Sequence, residues 1–184
     1  PRDGAALKPG TRPYDRSWMR DGAMIAEGLI RLGAVEEAAQ YLEWYAPYQF
    51  DNGKVPCCVD SRGADPTPEN DSQGEFIFLV AEVWRATRDE ALLRAVWPRV
   101  VRTVAYMDEL RASQMAPNAA PSRRHLYGLM PPSISHEGYS ARPAFSYWDD
   151  FWALLGYKEA VELARALGDA DAVRRFSASR DAFR

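Results

Sequence analysis

The links between the helical segments of this chain alternate between very short and very long, and this alternation constrains the fold most. Apolar residues recur at helical spacing in six segments, at about 21–32, 35–45, 71–86, 90–112, 147–167 and from 170 onward. The short links are Gly33-Ala34, Arg88-Asp89 and Gly168-Asp169. The long connections are 46–70 and 113–146, rich in Pro, Gly, Ser and Asn. Since two-residue links join antiparallel neighbours, the sequence predicts an all-α fold of three antiparallel helical hairpins without strands.

The long connections all lie at one end of such an array, where the first, third and fifth helices begin. Each of these helices is preceded or opened by polar residues, which are Trp18-Met19-Arg20-Asp21, Asn70-Asp71, and Glu137 with Tyr147-Trp148-Asp149-Asp150. We therefore expect three clusters that are distant in sequence to converge on one face. Long loops in compact domains are often functional, and repeated hairpins indicate a helical solenoid or a closed toroid.

Composition narrows the class of partner. The 184 residues are 47% hydrophobic with a net charge of −3, which fits one globular domain and favours neither nucleic acid nor an anionic membrane surface. No stretch approaches the ~20 apolar residues of a membrane span, and no signal peptide is visible. The adjacent Cys57 and Cys58 have no metal-ligand spacing, and His136 is isolated, so we expect no metal or cofactor. Two free thiols favour a reducing compartment such as the cytoplasm, but they do not determine the compartment.

The first polar cluster has two interpretations. Asp21 could charge the first helix N-terminus while Arg20 pairs locally and Trp18 packs at the entry. Alternatively, the guanidinium and the carboxylate bind sugar hydroxyls and Trp18 forms an apolar wall. Because Arg and Asp are rarely buried without a partner or ligand, the second interpretation gains weight if the clusters converge.

The other clusters are similarly ambiguous. Asp71 or Ser72 could cap the third helix, with Glu75 reaching back as in a capping box. Glu137 could be a solvated loop acid, or a general acid whose pKa is raised by nearby aromatic rings. The aromatic rings and acids at the fifth helix start suit a sugar platform, formed by Tyr147, Trp148 and Asp149.

With these residues placed, the chain resembles the glucoamylase-like six-hairpin glycosidases, the (α/α)6 toroids that include glucoamylases, glycogen-debranching glucosidase domains and trehalases. Trp18-Met19-Arg20-Asp21 resembles the Trp-x-Arg-Asp element whose Arg and Asp hold the non-reducing glucose. Asn70-Asp71-Ser72-Gln73-Gly74 resembles the Asn/Arg-Asp-x-x-Gly-type element that opens the next inner helix, so the resemblance implies that Asn70 and Asp71 contact the sugar. Glu137 stands eight residues before Phe145-Ser146, as the glucoamylase acid does before its Phe-Thr-type helix start, so the resemblance gives Glu137 the acid role.

The resemblance implies that residues 1–184 are part of a catalytic domain. Three hairpins against six imply about half a toroid, with the remaining hairpins and the catalytic base expected in further chain. The substrate class is an oligosaccharide or glycoside, most simply an α-glucoside. Because the sequence around His136-Glu137-Gly138 departs from the family pattern, Asp149 and Asp150 stay open as alternative acids.

Three other functions remain open on such a scaffold. A glycoside phosphorylase would use phosphate in place of water and need no protein base. Sugar epimerases and lyases also use helical toroids, although an epimerase would be expected to carry more than the two histidines present. A non-catalytic sugar-binding module or helical scaffold is the non-enzyme alternative, because fold alone does not fix chemistry.

Overall fold

The computed structural model describes residues 4–116, 121–135 and 142–183, and this part of the chain is mostly helical. Its six α-helices are α1 (Met19–Arg31), α2 (Val35–Tyr45), α3 (Asp71–Thr87), α4 (Glu90–Ala112), α5 (Tyr147–Ala166) and α6 (Ala170–Ala182). Short 3-10 turns occupy Arg12–Tyr14, Ala46–Tyr48 and Pro121–Leu126. The six predicted segments are confirmed to within about two residues at their ends. None of the described helices has the length and apolarity that crossing a bilayer requires.

Tight turns join the helices in pairs, α1 with α2, α3 with α4 and α5 with α6, and the members of each pair are in contact. Gly33 and Gly168 turn the chain with φ of +87° and +72°, a left-handed conformation that glycine adopts without strain. At the second turn Arg88 takes this conformation instead. The starting helices of the pairs also pack together, because α3 contacts both α1 and α5.

A small antiparallel sheet was not predicted, so the expectation of an all-α chain without strands was wrong in this respect. Its strands are β1 (Ser17–Trp18), β2 (Cys58–Asp60) and β3 (Gly63–Ala64), in the order β1-β2-β3. Strands of two or three residues are too short to show an alternating pattern, and β1 meets its partner about forty residues away. The sheet fixes the entry to α1, where the Met19 N–H donates to the Cys57 carbonyl at 2.9 Å.

Two glycines bring the N-terminal halves of α3 and α5 into backbone contact. A Cβ placed on Gly74 would lie 2.0 Å from the Trp152 carbonyl oxygen, and one on Gly156 would lie 2.8 Å from the Gly74 Cα. Only residues without a side chain allow this approach. The close crossing places the first turn of α5 beside the first turn of α3.

Candidate functional site

Arg20 is the second residue of α1, and its guanidinium reaches away from α1 towards the second hairpin. Nε donates to Asp71 Oδ2 at 2.8 Å, and Nη2 donates to Glu69 Oε2 at 2.7 Å. Nη2 also lies 3.2 Å from the Ser135 carbonyl oxygen, in the second long loop. Arg20 therefore does not pair locally, and its 26% exposed side chain joins α1, α3 and a distant loop.

Asp71 is the point at which the starting helices meet. It is the first residue of α3 and is fully buried, and its Oδ2 also accepts a hydrogen bond from Trp148 Nε1 at 2.8 Å. Trp148 belongs to the first turn of α5, so a single carboxylate oxygen receives donors from α1 and α5. The predicted convergence of these polar clusters is confirmed for the described residues.

The capping-box interpretation of the third helix is wrong. The N-cap position of α3 is Asn70, and no side chain there caps the helix. Asp71 turns its carboxylate to Arg20 and Trp148, and neither oxygen of Glu75 has a hydrogen-bond partner. Glu69 and Asp71 therefore serve contacts between hairpins.

Glu75 lies one turn after Asp71 on α3 and is the site residue that sequence reasoning missed. Its side chain is fully buried, with Oε1 at 3.8 Å from Arg20 Nε, and Asp71 Oδ1 also lacks a partner. Burial first, and then the charge of Asp71, raise the pKa of Glu75 well above its ordinary value, against the opposing charge of Arg20. The single positive charge of Arg20 faces three carboxyl groups, those of Glu69, Asp71 and Glu75. Because the pKa of Glu75 is raised well above its ordinary value, we assign Glu75 as the protonated one.

Asp149 is a third fully buried acid, on the first turn of α5. Its Oδ2 accepts a hydrogen bond from Ser133 Oγ at 2.6 Å, whereas its Oδ1 has no partner. Burial raises the pKa of Asp149 to about 6, while hydrogen bonds from Ser133 and Ser135 act in the opposite direction. A carboxyl that exchanges a proton near pH 6 suits acid–base chemistry, provided that a substrate can reach it.

Hydrogen bonds from α5 and from the residue before α3 hold the loop segment 130–135 beside these acids. Asn70 donates its backbone N–H to Ser135 Oγ at 2.8 Å and its side-chain amide to the Pro131 carbonyl at 2.9 Å. Asp150 accepts the Met130 N–H at 2.9 Å. Asn70 was predicted as a sugar contact and Asp150 as an alternative acid, and in the structure both hold this loop.

The remaining predicted residues lie at or next to the starts of α1 and α5. Trp18 is half-buried in β1, with its ring centroid 6.3 Å from that of Tyr14. Asp21 is half-buried on the first turn of α1. The partners of Arg20 are Glu69 and Asp71, not the neighbouring Asp21. Tyr147 is 70% exposed and stacks on Phe151 at 6.3 Å. The surface beside the buried acids thus carries aromatic rings.

Glu137, the predicted general acid, lies outside the described residues, as does His136. Ser135, two residues earlier in the chain, is the loop residue whose carbonyl oxygen accepts from Arg20. Within the described ranges, the group of possible metal ligands with close donor atoms is Cys57, Cys58 and Asp65, which includes none of the site carboxyls.

Comparisons of this chain with protein-family models, with curated proteins and with solved structures found no match.

Proposed function

We propose that this chain is the N-terminal part of an (α/α)6 glycoside hydrolase catalytic domain, acting on an α-glucoside or a similar sugar. The observation that carries the proposal is the shared Asp71 carboxylate, which accepts from Arg20 of α1 and Trp148 of α5. It supports a built polar site at the common end of three helices. The packing of α3 against both α1 and α5 is the order expected for consecutive inner helices of a toroid.

Sugar binding follows from the kinds of group that surround this carboxylate. Arg20 is part-exposed and offers planar N–H donors, and Asp21 offers carboxylate oxygens beside it. Trp18, Tyr147 and Trp148 supply aromatic surface on which the C–H face of a sugar ring packs. The buried contacts of Arg20 with Glu69 and Asp71 fix its orientation before a ligand arrives, which lowers the entropy cost of binding.

Glu137 is the proposed general acid, which would protonate the glycosidic oxygen as the bond to the sugar breaks. It is supported by the anchoring of Ser135, two residues before it, to Arg20 and Asn70. Asp149 is the alternative acid, with a pKa of about 6, although it is fully buried. The base that activates water is proposed to lie outside this chain.

The test is kinetic and uses the whole protein that contains this chain. Release of glucose is measured from a panel of maltose, isomaltose, trehalose and 4-nitrophenyl α-glucoside. Glu137→Gln removes the transferable proton, and we expect kcat to fall by about 10²–10⁴-fold without a change in melting temperature. Glu109→Gln, at an exposed glutamate of α4, is the matched control and retains full activity.

Other results would redirect the assignment. Activity of Glu137→Gln within a few-fold of wild type would refute its acid role, and loss in Asp149→Asn instead would move that role to Asp149. Turnover that requires phosphate would identify a phosphorylase. Saccharide binding without turnover of any substrate would leave a non-catalytic binding module.

A further inference from the structure

The two cysteines of the chain lie side by side, and Cys58 pairs with Trp18 in the small sheet. Cys57 and Cys58 are both free thiols and buried, with their Sγ atoms 4.0 Å apart. They are the only cysteines in the sequence, so every thiol measurement reports this pair. Cys58 opens β2, and the Cys57 carbonyl accepts the Met19 N–H at the start of α1.

The guanidinium of Arg16 lies beside the pair, between it and two carboxylates. Arg16 Nη1 lies 3.9 Å from Cys58 Sγ and 3.6 Å from Asp65 Oδ2, and Arg16 Nε lies 3.4 Å from Asp60 Oδ2. The Arg16 side chain is 34% exposed, whereas Cys57 and Cys58 are 3% and 1% exposed, so the two thiols are buried beside a part-exposed guanidinium.

The positive charges near the two thiols outnumber the negative charges by one, which favours one thiolate. Arg16, Arg62 and the half-buried Lys54, which interacts with Cys57, carry three positive charges. Asp60 and Asp65 carry two negative charges, and Glu69, which also acts on Cys57, is already paired with Arg20. A Cys58 thiolate supplies the third negative charge. This balance disfavours a divalent cation between Cys57, Cys58 and Asp65, although their ligand atoms are close.

The hydrogen-bond direction selects which sulfur is ionised. The Cys57 thiol donates to Cys58, which lowers the pKa of Cys58, and Arg16 acts in the same direction against the effect of burial. The same contact and burial raise the pKa of Cys57. A thiolate beside a neutral thiol is the arrangement of a nucleophile with its resolving partner.

We propose that Cys57 and Cys58 form a peroxide-sensitive redox pair, in which Cys58 is oxidised first and Cys57 then closes a reversible disulfide. The Cys58 thiolate attacks one oxygen of hydrogen peroxide, so an S–O bond forms, the O–O bond breaks and hydroxide leaves. Cys57 sulfur then attacks the Cys58 sulfenic acid, so the S–S bond forms and the S–O bond breaks. The departing hydroxide takes the Cys57 proton as water, and the two sulfurs have been oxidised while the peroxide is reduced.

The bond would be easily reversed. The Cα atoms of adjacent residues are ~3.8 Å apart, below the ~4.4 Å at which ordinary disulfides begin, so a ring of neighbouring cysteines is strained. Strained disulfides are the readily reduced, regulatory ones. Because Cys58 pairs with Trp18 in the sheet, the bond forms next to the strand that leads into α1.

The experiment counts free thiols in the native protein after limiting hydrogen peroxide, with intact mass as the second readout. We expect two thiols to disappear together, with loss of two hydrogen atoms and full recovery on adding dithiothreitol. Oxidation should be about tenfold faster than in the same protein unfolded in denaturant. In Cys57→Ser, Cys58 should stop as a sulfenic acid that dimedone traps. In Cys58→Ser, Cys57 should react more slowly than in the unfolded chain, because burial raises its pKa.

Arg16→Gln tests the cation, with Arg94→Gln, an exposed arginine of α4, as the control. Arg16→Gln should slow oxidation several-fold, and Arg94→Gln should not change it. The proposal is overturned if the thiols react no faster than in the unfolded protein, if Arg16→Gln reacts at the wild-type rate, or if oxidation gives only disulfide-linked dimers. None of these readouts depends on glycosidase activity, so failure here leaves the proposed function standing.

Discussion

Two carboxyls one turn apart on α3 have opposite electrostatic roles. Asp71 balances Arg20 and accepts from Trp148, whereas Glu75 is buried with no partner for either oxygen. A buried ion pair loses most when one partner is removed, because the other charge stays behind. A buried acid that is already protonated loses little when an amide replaces it.

Variants of these two residues should therefore differ in stability. Asp71→Asn should lower the free energy of unfolding by about 3 kcal/mol, because Arg20 and Trp148 lose their anionic acceptor. Glu75→Gln should be within about 1 kcal/mol of wild type at neutral pH, since the amide is uncharged, as the protonated acid is. Urea unfolding of the two variants measures the difference.

Urea unfolding at several pH values gives a second test of the protonation of Glu75. Its raised pKa means that its contribution to stability is lost as the pH rises through the folded value, so Glu75→Gln should gain on wild type with increasing pH. If Glu75→Gln is as damaging as Asp71→Asn at every pH, Glu75 is an ionised partner of Arg20 and its assignment as protonated is wrong.

Asp149 gives a defined pH window. Burial raises its pKa from 3.8 to about 6, so the folded state holds a proton that the unfolded chain releases between these values. Its stabilising contribution is complete below about pH 4 and is lost as the pH rises through about 6. Asp149→Asn lacks this titration, so its stability relative to wild type should rise by about 2–3 kcal/mol from pH 4 to pH 7.

Denaturant unfolding at several pH values measures this difference for Asp149→Asn. The exposed-site variant Asp171→Asn, on α6, controls for the loss of one carboxylate. A flat difference between wild type and Asp149→Asn across the window would show that Asp149 is not perturbed.

At the scale of elements, helices were predictable and the sheet was not. The apolar spacing of α2 and α4 gave their bounds directly, because each helix buries one continuous stripe. The three strands depend on pairing between residues 17–18 and 58–64, which local patterns do not contain. The role of Gly74 and Gly156 at the α3–α5 crossing was also not predictable, because it depends on the contact between two backbones that are distant in sequence.

Gly156 tests that crossing. Its Cβ position lies 2.8 Å from the Gly74 Cα, so Gly156→Ala should force the helices apart and lower the free energy of unfolding by about 1–3 kcal/mol. Gly28, on α1, has no atom within 4 Å of its Cβ position, so Gly28→Ala should stabilise the protein by up to about 1 kcal/mol. Thermal unfolding compares the two variants, and equal stability for both would contradict the backbone contact.

At the scale of the whole molecule, alternating link lengths predicted which polar groups would meet. Arg20, Asp71 and Trp148 are dispersed over about 130 residues and converge because α1, α3 and α5 begin at the same end. The partners within the cluster were not predictable, since the pairing of Arg20 with Glu69 depends on side-chain packing. Glu75 was missed for the same reason, because its sequence position resembles a capping residue.

The most direct test of the central claim is calorimetric titration of the whole protein with glucose, maltose and maltotriose. We predict that at least one saccharide binds to wild type. Arg20→Lys keeps the charge but loses the planar donor set, and Asp21→Asn removes a carboxylate outside the buried network, so each should weaken binding by about tenfold or more without loss of the cooperative melt. Arg94→Lys, on the exposed face of α4, should bind as wild type does. Absence of binding to every saccharide, or wild-type affinity in folded Arg20→Lys and Asp21→Asn, would contradict a carbohydrate site at the mouths of these helices.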